Sequence, residues 1–323
     1  MSTERTPATV VAVAGSAGLD VTLRDPPRHW IGEVPRDVYT HRTLLPLRSP
    51  PEMGLGGNGG SASYVLGKLG RKVHLNAAIG QDPAGQLVRG WLERAGVKCT
   101  APTGRSTMQA ITAVDATGRR LGTLQHVGPA LDWSLSARDK AATWLLASLP
   151  GQIPVEALPR VLNLLQDFGG PDRVRVLDTG LGWTGKAEPR RIRELWARAE
   201  VVVGTLEELT VWTSGRNGRE VAERVLAAGP HTVVLKMGSD GAAYQSVKEP
   251  FAHQPPVQVT ASNVSIGAGD AFNGALIAGL TENRPLADAV ARAQQIAARV
   301  VERGRGVLGW GESLAIPTPA SPG

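Results

Sequence analysis

"SIGAGDAFNGALIAGL" occupies residues 265–280, and the reading of its glycines decides the fold. Gly267, Ala268 and Gly269 run straight into an apolar segment of helical period that starts at Asp270. Small residues let backbone N–H groups approach an anion closely, and a helix N-terminus adds positive partial charge. A carboxylate in that place is also an ordinary N-cap. The combination is more pointed than either part. Amides able to bind an anion and a potential base lie side by side, as transfer of a phosphoryl group to a hydroxyl requires.

Two other glycine loops compete for a phosphate. In "MGLGGNGGSASYVLGKLG", residues 53–70, Gly54, Gly56 and Gly59 meet the G-x-G-x-x-G spacing of dinucleotide-binding folds. Such a fingerprint should follow the first strand directly. Here the preceding "LRSPPEM" reads as no strand, and the true first βα loop, "GSAGLD", lacks the third glycine. These glycines are therefore read as allowing close backbone approach to a different ligand. In "GLGWTGKA", residues 180–187, Gly180, Gly185 and Lys186 fit G-x-x-x-x-G-K. Ala187 stands where a Mg²⁺-binding hydroxyl belongs, and Pro189 suits a fresh helix start. That loop is read as a glycine-rich turn.

Outward from these loops, strand and helix alternate. "ATVVAVAGSAGLD" is a buried strand feeding a loop, and "KVHLNAAIG" is another strand; a helix is expected over "PAGQLVRGWLERAGV", with Asp82 forming the turn before it. "VRVLDTG", "EVVVG" and "HTVVLKMG" are further strands, and helices close the chain at Asp270–Gly279 and Pro285–Arg303. Alternation of this kind predicts an α/β fold with a mainly parallel sheet flanked by helices. Two pieces interrupt it. One is the proline-rich stretch from Val21 to Pro50. The other is "TMQAITAVDATGRRLGTLQHVG", a hairpin turning near Ala116–Gly118. They are expected to form a small β lid, from about 21–50 and 101–128, over the edge where α/β proteins bind ligands.

Composition excludes several classes. The 35 Lys+Arg against 29 Asp+Glu give a formal charge of +6, with acids and bases interleaved in stretches such as "KAEPRRIRELWARAE". No basic run interleaved with aromatics tracks a nucleic-acid backbone, though a mild positive field helps recruit an anionic substrate. Cys99 is the single cysteine, so no intrachain disulfide forms, and no C-x-x-C or H-E-x-x-H offers a metal site. Neither a signal peptide nor a membrane-spanning run appears, so the expectation is a cytoplasmic protein with no nucleic-acid or membrane partner.

Together, "GGNGGSASYVLGKLG", "AAIGQDPAGQLVRGWLERAGV" and "GAGDAFNGALIAGL" resemble the ribokinase-like (PfkB) carbohydrate kinases, in the family's order and over nearly the whole chain. The resemblance implies a ribokinase-like three-layer fold, a single kinase domain over residues 1–323, and ATP with Mg²⁺ as cofactors. Asp270 is then the base that takes the substrate's proton, and the Gly267, Ala268 and Gly269 amides form the anion hole for the γ-phosphoryl group. Asp20 is similar to the carboxylate that clamps sugar hydroxyls, with Gly56, Gly57 and Asn58 beside it. Glu207 matches the Glu of the N-x-x-E motif, which organises Mg²⁺ through water. Lys236 and Gly238 border the nucleotide, and Gln294 with Gly304 closes its adenine side. Asp178, ending a strand at the cleft edge, is a candidate for sugar hydroxyls or for a turn. Gln109, on a lid strand, is a further substrate candidate.

Three departures stand out. Gly204 replaces the Asn of N-x-x-E. Val264, Ser265 and Ile266 replace an Asp-Thr-Thr whose Asp contributes to a monovalent-cation site in some members, which puts potassium activation in doubt. Ser61 replaces a sugar-loop Asn, shortening the reach to substrate. The expected activity is transfer of the ATP γ-phosphoryl group to a hydroxymethyl group of a small carbohydrate. Two alternatives stay open: a nucleoside kinase, for which Trp30, Tyr39 and Trp133 near the lid are aromatic candidates, and a catalytically weak sugar-binding regulatory protein. The exposed lid edge suggests a homodimer.

Overall fold

A computed structural model describes residues 9–26, 47, 49–100, 104–149, 154–180, 188–259 and 265–314. Its backbone is a nine-stranded sheet with helices on both faces, plus a separate four-stranded sheet. The large sheet is centred on β1 (Val10–Ala14), flanked by β4 (Lys72–Asn76) and β5 (Val97–Cys99) on one side. On the other side come β8 (Trp144–Ser148), β9 (Val174–Asp178), β10 (Val201–Thr205) and β11 (Thr232–Lys236), all parallel to it. An antiparallel pair, β12 (Ala242–Ser246) and β13 (Ala252–Gln254), finishes that edge.

The strands are apolar along their whole length because both faces are covered, as parallel sheets require. In β1, Val11 and Val13 belong to one core while Ala12 and Ala14 belong to the other; Val203 and Val202 of β10 divide in the same way. The first core holds α1 (Asn58–Lys68), α2 (Pro83–Arg94), α7 (Ala268–Thr281), α8 (Leu286–Arg303) and α9 (Gly306–Ser313). The second holds α3 (Leu158–Phe168), α4 (Pro189–Trp196), α5 (Leu206–Thr213) and α6 (Gly218–Leu226). Helix α7 is buried from Ala271 to Gly279, as expected of a helix that is apolar all round. A side chain at Gly274 would meet the Ala62 carbonyl at 2.6 Å, so glycine there lets α7 lie close against α1.

The small sheet runs β3 (Glu52–Gly56), β2 (Gly18–Arg24), β6 (Met108–Val114), β7 (Arg120–His126). The expected β6–β7 hairpin is present. One expectation is corrected here: Gly54 and Gly56 lie within a strand, β3, paired antiparallel with β2. Prolines 50 and 51 hid it, since proline is tolerated just outside a strand that its residues can still enter. Asp82 caps α2, accepting from the Gly85 amide at 2.9 Å, and also accepts from the Thr107 amide at 2.9 Å, so it ties the hairpin's base to the main body. Residues 181–187 of the P-loop-like turn, residues 27–46 with Trp30 and Tyr39 among them, and Val264 lie outside the described residues. Among the described residues no helix is long and apolar enough to cross a membrane.

Candidate active site

The C-terminal ends of β1, β9, β10 and β11 meet at one edge of the large sheet, below the small sheet. That edge carries the site. After β1 the chain turns at Gly15 and Ser16 and passes directly against the start of α1. The Gly60 amide donates to the Ser16 carbonyl at 2.9 Å. The Asn58 amide oxygen accepts from the Ser16 amide (3.1 Å), the Ser16 hydroxyl (2.8 Å) and the Gly59 amide (2.8 Å). Gly57 has φ +81°, and a Cβ there would sit 2.5 Å from the Ser16 carbonyl oxygen. Gly56 likewise has no room for a side chain, because one would run into the Asp20 carboxylate. These glycines let two backbones and a carboxylate share one corner. In that corner burial pushes the Asp20 carboxyl up to about 6, against the pull of Arg120.

The second cluster forms around the first turn of α7. Gly267, in the left-handed region at φ +78°, precedes it. The Ala268 amide turns back to the Ser265 carbonyl at 3.2 Å, so among the described residues the Gly267, Gly269 and Asp270 amides are the ones left open. Burial, and then the Asp178 carboxylate, push Asp270 up to about 7, with Asp20 and Glu208 adding to the effect and Lys236 opposing it. The Lys236 ammonium, at the end of β11, donates to Asp178 Oδ1 at 3.2 Å and to Asn273 Oδ1 at 3.3 Å. Burial works against its charge, but the Asp178, Glu208 and Asp270 carboxylates outweigh that and raise its pKa. Asp178 is only 4% exposed and also accepts from the Ser148 hydroxyl at 2.7 Å. It therefore faces inward as the partner of Lys236, away from the position of a sugar contact.

A cavity opens on each side of this turn. The first, about 1080 Å³, lies beneath the small sheet and is lined by Asp20, Gly57, Asn58 and Ile266 at one end. The second, about 880 Å³, is lined by Lys236, Gly238, Ser265, Gly269, Phe272 and Gln294. Gln294 is 7% exposed; its Nε2 donates to the Gln254 carbonyl at 3.4 Å, and its Oε1 has no partner among the described residues.

Several expected residues are placed elsewhere. Gln109 pairs with Leu19, whereas Ala110 pairs with Asp20; alternation therefore turns Gln109 to the face away from the cavity. The Ser61 hydroxyl, 1% exposed, donates to the Leu55 carbonyl at 3.2 Å and is consumed within the fold. Gly304, at φ +65°, ends α8, and its turn packs back on Gly54 and Gly267 and not on the second cavity. Glu207 is exposed in the first turn of α5. One residue on, Glu208 forms a capping box with Thr205, accepting from the Thr205 amide at 2.8 Å while its own amide donates to the Thr205 hydroxyl at 3.1 Å. Successive helix residues point about 100° apart, so Glu208 is the acid that Lys236 and Asp270 feel. The N-x-x-E spacing holds with Thr205 in the Asn position, and the capping box was the signal that could have found it. Sequence reasoning also passed over Arg120 and Arg160, both on the first cavity.

Comparisons with known proteins agree with this geometry. The model of the pfkB family of carbohydrate kinases matches residues 31–308. A pseudouridine kinase of Escherichia coli (strain K12) is 25% identical over 300 residues, covering 88% of each chain. A 5-dehydro-2-deoxygluconokinase of Clostridium tetani (strain Massachusetts / E88) is 25% identical over 294 residues, covering 84% of this chain and 86% of that one. A ribokinase of Arabidopsis thaliana, solved with ribose and ATP, superposes with a TM-score of 0.72 at 18% identity, over 94% of this chain and 95% of that one. A phosphotransferase with an alcohol acceptor is what this set of relatives and this fold support. The chain belongs to the pfkB family of carbohydrate kinases.

Proposed function

We propose that the protein transfers the γ-phosphoryl group of ATP to a hydroxymethyl group of a small carbohydrate. The observation that carries this reading is Asp270, a carboxyl held at about 7 on the turn that separates the two cavities. A base poised near neutral pH is half-ionised before the reaction and can take a proton at the moment of attack. The acceptor lies in the first cavity, its ring hydroxyls on Asp20 and on the Asn58 amide nitrogen. Its hydroxymethyl oxygen attacks the γ-phosphorus as the proton passes to Asp270, and the bond to the β–γ bridging oxygen breaks to release ADP. The open amides of Gly267, Gly269 and Asp270 receive the charge on the transferring group.

The second cavity takes the nucleotide. Lys236 and Gly269 face its phosphates, and the buried Gln294 Oε1, an acceptor without a donor, suits the amino group of adenine. No group of three His, Cys, Asp or Glu among the described residues makes a ready cage for a metal. That is compatible with Mg²⁺, which keeps its waters and binds largely through phosphates. Glu208, whose Oε1 is not used in its capping box, is the carboxylate suited to hold that water shell. When bound, Mg²⁺ neutralises phosphate charge.

The four strands of the small sheet supply the lid. On its face away from the cavity Met53, Val21, Ile111 and Leu124 stand in register; Val21 packs against the first core, while Met53, Ile111 and Leu124 are exposed. A homodimer would bury this row, and light scattering of Leu124→Glu beside the wild type tests it. The kinase reading is tested by ADP release from Mg-ATP across a panel of sugars, sugar acids, sugar phosphates and nucleosides. Acceptor-dependent release is expected, and none above background would overturn it.

A further inference from the structure

The first cavity also carries cationic side chains on its wall. Strand β7 sends Thr123 and Gln125 into it, and strict alternation would send Leu121 in next. Instead the register slips at Ala113/Val114, so that Val114 pairs with Arg120. A bulge of this kind re-aims a side chain, and Arg120 lines the cavity in place of Leu121. Helix α3 contributes Arg160 to the lining of the same cavity. Neither guanidinium has a hydrogen bond or an ion pair among the described residues, and Glu156, also on that wall, is not within pairing distance of either. Arg120 is near enough to pull on the Asp20 carboxyl.

Neutral acceptors give these groups nothing to do. A sugar hydroxyl is met by Asp20 and Asn58, and a nucleobase would need an open aromatic face. Among the described residues the aromatic on this wall is Trp133, which is 5% exposed and packed into the second core. Two unpaired forks of N–H donors instead match a planar or tetrahedral anion. We propose that Arg120 and Arg160 form an anion-binding part of the acceptor cavity, so that the acceptor is a carbohydrate bearing its own carboxylate or phosphate. The anion rests on the arginines and the hydroxymethyl group lies toward Asp270. This rests on the kinase reading above.

The test uses the purified full chain and acceptors paired so that members differ in charge: D-gluconate against D-glucose, D-ribonate against D-ribose, D-fructose 6-phosphate against D-fructose, with uridine as a neutral nucleoside. Binding is read by calorimetry with a non-hydrolysable ATP analogue present, and turnover by ADP release. The charged member of at least one pair is expected to bind about 10–100-fold tighter than its neutral twin, the range for a charged hydrogen bond. The carboxylate and phosphate arms identify the source. Arg120→Ala and Arg160→Ala should each lower that preference about tenfold or more, raising KM more than they lower kcat, with Arg120→Lys recovering part. Both arginines are exposed, so melting temperatures near wild type will show that folding is intact. Equal or tighter binding of every neutral twin, or a preference that survives both substitutions, overturns the proposal. Charge-selective binding without any ADP release sinks the kinase reading and leaves the anion site standing. Turnover indifferent to charge does the reverse.

Discussion

Replacing Lys236 by Met tests whether one buried cation sets the working pH of the enzyme. The Lys236 side chain is 13% exposed and that of its partner Asp178 6%, with 3.2 Å between Nζ and Oδ1. Removing one member of such a pair strands the other and costs about 3–5 kcal/mol of stability. The effect on Asp270 is separate. Lys236 is the cation that holds the Asp270 carboxyl down, while Asp178, Asp20 and Glu208 push it up. Loss of a nearby opposite charge raises a carboxyl by about one to three pH units. At pH 7.5 a base with a pKa of about 7 is roughly three-quarters ionised, and raising it to about 9 leaves only a few per cent. The assay is kcat/KM against pH, from 5.5 to 9.5, by coupled ADP release. For a base the rate climbs as pH rises through the pKa, so the acid limb of Lys236→Met should move up by about one pH unit or more. Asp178→Asn should move it down, because it removes a repelling charge, and the double variant should lie between the two. An acid limb at the same pH in wild type and Lys236→Met, with activity lost equally at every pH, would refute the reasoning and leave Lys236 as a phosphate contact only.

Asp270→Asn should lose about 10²–10⁴-fold in kcat and yet gain stability at high pH. The Asp270 carboxyl binds its proton up to about 7 when folded, against a usual value of 3.8. Folding thus favours the proton, and wild-type stability falls as pH rises between those values, by about 4 kcal/mol in full; urea melts at pH 4 and pH 8 should show that fall shrink in the variant. Gly56→Ala places a methyl group against the Asp20 carboxylate and should cost about tenfold or more in acceptor kcat/KM, with ATP affinity retained in a nucleotide-displacement titration. Gln294→Leu removes the acceptor that suits the adenine amino group. The ratio of ATP to GTP utilisation should fall about tenfold, and an unchanged ratio would place the base elsewhere.

The main architecture was legible because parallel strands covered on both faces read as unbroken apolar runs, as "VVAVA" does. The Gly-Ala-Gly-Asp turn was legible because few other uses bring amides and a carboxylate together at one helix start. What escaped was facing. Glu207 and Glu208 are chemically identical, and only the capping of α5 by Thr205 decides which one turns inward. Gln109 and Ala110 differ by one step of a strand whose buried side is fixed by pairing with Leu19 and Asp20, some ninety residues away. Asp178 was legible as a carboxylate at a strand end, but its role depends on Ser148, on the adjacent strand β8, and on Lys236, two strands away on β11, both distant in the sequence. The bulge that aims Arg120 is marked only by Gly122 beside it, and a glycine within a strand does not say which neighbour is re-aimed.

The charges of the site form an ordered whole once these positions are known. Burial first, and then the Asp178, Asp20 and Glu208 carboxylates that crowd the α7 turn with Lys236 as their opposing cation, hold Asp270 near 7. A turn so acidic would repel the polyphosphate it must receive. Two features offset that repulsion. Asp20 and Asp270, at about 6 and about 7, are each partly protonated near neutrality, and the open amides of α7 present the positive end of a helix dipole to the incoming group. Asp270 is therefore ionised least when it faces other carboxylates alone, and most when cationic charge enters beside it. A nucleotide that brings a divalent cation supplies such charge at the point of phosphoryl transfer. By this argument a metal–nucleotide complex raises the ionised fraction of Asp270 only where its cation comes nearer the carboxyl than its phosphates do, and a carboxyl with an ordinary pKa, already ionised in the empty site, would gain little from it.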